Sequence, residues 1–271
     1  WELAAELGLP IDQSVDRLVL NPLGPLHTEP DRLLLEELPP AVAVRPVLDA
    51  IGLGAHRLSE IAGRMGQPAT ACARPLQRLQ ELGLVRREVS FGTDPKSSKR
   101  SVYRIADPFF RLWFRVAAPN RATLAEAPAE VRLSLWRSAQ PHLAAAAWED
   151  LCRAYVPLSG TTGLLLADHG PWTPASRFWQ GDSPEWDVVA ESLDGKHLLL
   201  GEAKWSDRPW AEADLRGLAR SLVSKGLPPV ADVDRKAPHY AVFVPDVEEG
   251  SPGEIDGVRI VCASHVMEAL R

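Results

Sequence analysis

The stretch EWDVVAESLDGKHLLLGEAKW, residues 185–205, decides how the C-terminal half of the chain is read. EWDVVAES alternates in the manner of a half-buried strand, Asp194-Gly195 is a hairpin turn, and the run Leu198-Leu199-Leu200 marks a second, buried strand. The period of two places Glu202 and Lys204 on one face of that second strand. Counting back through the turn pairs position 187 roughly with position 202, which brings the carboxylates of Asp187 and Glu202 within reach of a single cation.

Outward from the hairpin, PWAEADLRGLARSLVSKG reads as a helix, HYAVFVP and VRIVCA as apolar strands, and SHVMEALR as a closing helix. Upstream, a helical stretch with Leu133, Leu135, Trp136, Leu143 and Ala147 runs into WEDLCRAY, where Glu149 is the informative acid. This order predicts an α/β domain over residues 141–271 whose sheet grows from the hairpin.

Glu149 on a helix, Asp187 on a strand and Glu202-Ala203-Lys204 on the next resemble the PD-(D/E)XK nuclease superfamily. The resemblance implies magnesium or manganese held by Asp187, Glu202 and the Ala203 carbonyl. It implies Glu149 as a further acid and Lys204 beside the attacking water, so the four side chains Glu149, Asp187, Glu202 and Lys204 form the expected catalytic set. One departure stands out: Trp186 precedes Asp187, and the proline lies earlier, at Pro184. The plain alternative for Glu202-x-Lys204 is a surface ion pair. His169, His197, His239 and His265 have no ligand spacing and read as surface or satisfied core histidines. Trp172, Trp179, Trp186, Trp205 and Trp210 read mostly as core or rim aromatics, with one or two able to stack on an unpaired base.

Charge separates the rest of the chain from this acidic half. Residues 1–40 hold two Lys or Arg against eight Asp or Glu, residues 41–120 thirteen against six, and residues 121–271 fifteen against 22, so the net charge of −6 hides a basic middle of +7. A basic block of domain size is the footprint expected of nucleic-acid contact. Within it AVAVRPVLDAIGLG and RLSEIAGRMG predict two short helices, the second bracketed by Ser59 and Gly66, and TACARPLQRLQELG a third. LVRREVSF, the polar GTDPKSSK and RSVYRI then read as a strand, a loop and a returning strand. Residues 41–105 are therefore expected to form a winged helix-turn-helix. Its DNA-facing cations would be Arg74 and Arg78 on the third helix, with Arg86, Arg87, Lys96, Lys99 and Arg100 on the wing. A winged helix serving only protein contacts is the alternative.

The order of segments has its own likeness. A winged helix, the connector YRIADPFFRLWFRVAAPN (helical over residues 106–140), WEDL, EWDVVA and GEAKW resemble the C-terminal half of archaeal-type ATPases of the STAND-related group. The resemblance implies that residues 1–40 are the tail of an ATPase portion and that a P-loop ATPase is a covalent or separate partner. The chain contains no GxxxxGK[ST] of its own.

With 271 residues, 45% hydrophobic and 24% charged, the composition is globular, and no apolar run approaches the roughly 18 to 20 residues of a membrane helix. The three cysteines, far apart and odd in number, argue against a disulfide framework and a CxxC zinc site. A soluble, cytoplasmic protein is expected. Trp1 opens the chain inside what reads as the helix WELAAELG, as expected of a fragment or a processed product, and an upstream signal peptide stays open. Two functions follow as expectations: a DNA-binding, metal-dependent nuclease module, or a non-catalytic DNA-binding or regulatory tail with the nuclease fold kept as a scaffold.

Overall fold

The computed structural model describes residues 6–37, 44–94, 96, 101–159 and 166–270. Lys99 and Arg100, two of the expected wing cations, lie outside them. The chain divides into two compact units. The first comprises the described residues of Trp1–Glu88 and Ser101–Leu143, the second those of Val89–Arg100 and Ala144–Arg271. The four segments read from the sequence are thus grouped as two.

In the first unit the helices are α1 (Ile11–Val15), α2 (Glu29–Glu37), α3 (Arg45–Gly52), α4 (Leu58–Met65) and α5 (Ala69–Glu81). The two-stranded sheet β1 (Val85–Val89) and β2 (Ser101–Ile105) follows. α4 starts two residues earlier than a Ser59 cap would allow. Glu60 reaches back to accept from the backbone N–H groups of His56 (2.9 Å) and Arg57 (3.0 Å), which leaves Ser59 inside the helix. Gly66 ends it in the left-handed region (φ 61°), as its sequence position suggests. Tyr103 of β2 donates its N–H to the His56 carbonyl at 2.7 Å, which ties the hairpin to the turn before α4.

The N-terminal segment and the connector join these helices in one core. Val15, Leu18 and Leu34 pack in the same cluster as Leu48, Ile61, Leu76 and Leu79, and as Trp113, Phe114 and Val116 from the FRLWFR motif. α6 (Pro108–Leu112) opens that motif, capped by Asp107, whose carboxylate accepts from Phe110 N–H at 2.9 Å, and a π-helical turn over Trp113–Ala117 follows. α7 (Arg121–Glu126) then leads to the long α8 (Ala129–Ser159), in which the two units meet in sequence. Arg132 of α8 pairs with the buried Asp16 through two bonds, at 2.6 and 3.0 Å, and Trp136 Nε1 donates to Asp12 at 2.7 Å. These links tie the described residues 6–37 into this unit.

The second unit is α/β. Its strands are β3 (Ser176–Phe178), β4 (Trp186–Glu191), β5 (His197–Ala203), β6 (Ala237–Phe243), β7 (Glu254–Ile255) and β8 (Val258–Val261), in the order β3-β4-β5-β6-β8-β7. The β3-β4, β4-β5 and β7-β8 pairs are antiparallel, and β5-β6 and β6-β8 are parallel. The β4–β5 turn has Gly195 at φ 72°, as the Asp194-Gly195 signal requires. Parallel pairing of β5 with β6 needs a crossover, and α9 (Glu212–Ser224) supplies it.

Alternation divides the sheet into two buried faces. Val188, Ala190, Leu199, Ala203, Ala241 and Phe243 pack with Trp148, Cys152, Tyr155 and Val156 of α8 and with Val266 of α10 (Ala263–Ala269). Val189, Leu198, Leu200 and Val242 pack with Leu215, Ala219 and Leu222 of α9. Burial on both sides is why β5 reads as a continuous apolar run.

Gly201 sits where the sheet has no room for a side chain. A Cβ there would lie 2.8 Å from Phe243 Cε2 and 3.0 Å from Val188 Cβ. Gly201→Ala is expected to cost about 1–3 kcal/mol by overpacking. Chemical denaturation of variant and wild type would measure this, and an unchanged midpoint would contradict the packing.

Candidate functional site

Extending the β4–β5 register, Val188↔Gly201 and Val189↔Leu200, by one step sets Asp187 opposite Glu202. The Asp187 carboxylate accepts from Ala203 N–H at 3.1 Å, so the acid of one strand is seated on the E-x-K segment of the next. Glu202 and Lys204 continue the Leu198 and Leu200 face, which α9 covers, and their side chains meet at 2.5 Å. Glu149 comes from α8, which covers the opposite face.

Asp187 is where these groups act together. Burial pushes its carboxyl up to about 6, with the negative charges of Glu202 and Glu149 adding to the rise, while the Ala203 N–H and Lys204 oppose it. Burial alone would lower the Lys204 ammonium, but its bond to Glu202 and the charges of Glu202, Asp187 and Glu149 together hold it above its ordinary value. Asp187 thus feels the charges of Glu202, Glu149 and Lys204.

Three further cations belong to the site, and sequence reasoning, which counted only Lys204, passed over them. Lys225, just beyond α9, pairs with Glu202 Oε2, donates to the Glu185 carbonyl at 2.7 Å, and lies 5.8 Å from the centre of the Trp186 ring. Arg153, one turn along α8 from Glu149, lies 3.6 Å from it and donates to the Asp187 carbonyl at 3.0 Å. Arg177 of β3 stands 3.9 Å from Glu149. Arg153 carried a usable signal, the i, i+4 spacing on a helix; Lys225 and Arg177 depend on tertiary pairing. The acids are therefore better balanced by protein charge than expected.

The donor set is all oxygen, which suits a hard divalent cation. Asp187, half-buried and crowded by two other carboxylates, is the group such a cation would relieve. The fit has a condition, since both Glu202 oxygens are engaged by lysines and at least one must be released for metal ligation.

Of the tryptophans expected near the site, Trp186 is buried beside Lys225, and Trp172 is buried with its ring 6.3 Å from that of His239. Both are core residues.

The histidines correct the sequence reading. His169, His197 and His239 are gathered: one ring nitrogen or equivalent ligand atom from each lies within 4.8 Å of the others. Among the described residues no other trio of His, Cys, Asp and Glu meets that distance, so the three acids are more spread than the three imidazoles. Burial holds His239 down to about 4, and the neighbouring His169 and His197 add to that effect. Sequence spacing concealed the trio because its members come from three elements.

On the first unit, Arg74 and Arg78 of α5 are exposed, and Arg78 pairs with Glu81 at 3.3 Å. Arg86 of β1 is half-buried and bonded to Glu88 at 2.6 Å; Arg87 is also half-buried and has a partner. Lys96 is exposed. Within the second unit, the segment that follows β1 lies along β3. Ser90 Oγ donates to the Trp179 carbonyl at 2.8 Å, and Phe91 N–H donates to the Arg177 carbonyl at 2.8 Å. The start of the expected wing loop is thus anchored.

Residues 113–217 match a family model, DUF234, described as archaea bacterial proteins of unknown function. The matched stretch runs from the buried Trp113 through α8 and the acid-bearing hairpin into α9. The chain is also similar to the "Uncharacterized protein MJECL04" of Methanocaldococcus jannaschii, at 23% identity over 247 residues. That alignment covers 91% of this chain and 54% of the archaeal protein, so the chain spans about half of its relative's length. No solved structure matches the chain. Among the described residues, no helix is long and apolar enough to cross a membrane.

Proposed function

We propose that the second unit is a PD-(D/E)XK-like, divalent-metal-dependent nuclease, and that the first unit carries a winged helix that binds DNA. The observation that carries the nuclease reading is the seating of Asp187 on the Glu202-Ala203-Lys204 segment, with Glu149 adding its charge from α8. Phosphodiester hydrolysis needs acids for a hard metal and a cation beside the attacking water, and these residue types supply both. Asp187 and Glu202, with the Ala203 carbonyl, would hold magnesium or manganese, whose contribution is to neutralise charge on the phosphate and lower the pKa of water. Lys204, freed from Glu202, orients the attacking water and faces the phosphate. Lys225 takes over the balance of Glu202 when Lys204 turns away. Glu149, steadied by Arg153 and Arg177, positions water or adds a ligand.

The test is incubation of the purified chain with single- and double-stranded DNA and RNA, with magnesium, manganese or a chelator, beside Lys204→Ala. Metal-dependent cleavage that disappears in the variant is the expected result. Cleavage by both proteins alike, or by neither, would count against the reading.

The second reading, a scaffold without catalysis, is favoured by one observation: Glu202 is held by two lysines and Glu149 lies beside two arginines, so the cluster is balanced without a metal. The resemblance to archaeal-type ATPases supports a role beside an ATPase in either case.

For the first unit, three helices followed by a two-stranded hairpin, with Arg74 and Arg78 exposed on α5, support DNA contact. The Arg74→Glu/Arg78→Glu variant is expected to weaken DNA binding by tenfold or more, on the order of 1.4 kcal/mol. It should also flatten the logarithmic salt dependence by about 1.8, two phosphate contacts at about 0.9 each. Fluorescence anisotropy across a salt series measures both, and an unchanged affinity would assign this surface to protein partners.

A further inference from the structure

His169 closes the short turn Ala167–His169, His197 opens β5, and His239 lies in β6. The parallel register, His197↔Ala237 and Leu199↔His239, makes the last two diagonal neighbours. Alternation puts both on the face of Leu199, Ala241 and Phe243. The turn with His169 is fastened to the same end of the sheet, because Thr173 N–H donates to the Glu191 carbonyl and Leu193 N–H to the Pro171 carbonyl, each at 2.8 Å. The site is therefore built on strands and a tied loop.

His197 Nδ1 and His239 Nε2 stand 2.9 Å apart, and the rings of His169 and His239 are stacked with centroids 3.7 Å apart. Four nitrogens at a tetrahedral zinc ion, each at about 2.0–2.1 Å, lie about 3.3 Å from one another. The three nitrogens already lie within 4.8 Å, and the stacked His169 ring has to turn for its nitrogen to reach that spacing. Three half-buried imidazoles on one spot are a poor arrangement for cations and a good one for a shared ligand. A donor set of nitrogen alone selects borderline transition ions over magnesium or calcium.

We propose that His169, His197 and His239 bind one zinc-class divalent ion through a ring nitrogen each, leaving a fourth position for water. The ion clips the 166–173 loop to β5 and β6. This site is separate from the acids, since Glu202 lies five positions along β5 from His197, roughly 16 Å along the strand.

The test uses the full chain, stripped with a chelator and dialysed into excess magnesium, which occupies the acid cluster, then titrated with zinc by calorimetry and with cobalt by visible absorption. One zinc per chain and the strong visible bands of a four-coordinate cobalt ion are expected. His169→Ala and His239→Ala should each weaken zinc binding by about 100-fold or more, the upper end of what altering outer-shell partners costs. Glu202→Gln should leave it unchanged. No zinc uptake by the wild type, equal uptake by both histidine variants, or loss in Glu202→Gln would overturn the site. Circular dichroism monitors folding; if His239→Ala unfolds, His169→Ala, on a loop, decides the matter.

Discussion

Asp187→Asn is expected to lower metal-dependent phosphodiester cleavage by about 10³-fold or more, equivalent to about 4 kcal/mol of transition-state stabilisation. The amide keeps the shape of the carboxylate and an oxygen for Ala203 N–H, so the hairpin seating survives. The variant removes a half-buried charge crowded by Glu202 and Glu149, and its thermal stability should equal or exceed that of the wild type. DNA contact through Arg74 and Arg78 should be untouched, because they belong to the other compact unit. Steady-state cleavage and a melting curve measure the two effects, and activity within threefold of wild type would remove Asp187 from the chemistry.

Trp113→Ala is expected to destabilise the first unit by about 3–5 kcal/mol. Trp113 is fully buried, its Nε1 donates to the His27 carbonyl at 2.7 Å, and the guanidinium groups of Arg45 and Arg121 lie 4.9 and 4.8 Å from its ring centre. Asp31 pairs with both arginines. Removing the ring leaves a cavity, an unmet carbonyl and Arg121 without its ring, while Arg45 keeps Phe114 at 5.1 Å; Trp113→Phe retains part of the packing and loses only the donor and the second ring. Urea denaturation should rank wild type above the Phe variant and the Phe variant above Ala. A loss below about 1 kcal/mol in Trp113→Ala would mean that the FRLWFR motif does not anchor this core.

The hairpin was readable because its signals are local. Turn residues at Asp194-Gly195 and period-two alternation set the pairing of Asp187 with the E-x-K segment before any tertiary contact is considered. The helices α4 and α5 were readable for the same reason, through their apolar spacing and Gly66. The cap of α4 was not, because a glutamate reaching back competes with any serine near a helix start.

What escaped the sequence is long-range in origin. Arg132 finds Asp16 across 116 positions, and residues from Val15 to Leu34 become part of a core that their composition does not announce. Lys225 meets Glu202 only because α9 crosses back over β5. The histidines are 28 and 42 positions apart, so only a parallel β5–β6 pairing and a tied loop could place them together.

The most direct test of the acid cluster is a manganese titration of the full chain, following the free ion by electron paramagnetic resonance. Three imidazoles are a poor set for manganese, so the histidine trio interferes little. The wild type should take up one ion per chain that magnesium displaces, and the Asp187→Asn/Glu202→Gln variant, with unchanged circular dichroism, should take up none at the same concentrations. A wild type that binds no manganese, or a double variant that binds it equally well, would contradict the assignment of Asp187 and Glu202 as metal ligands.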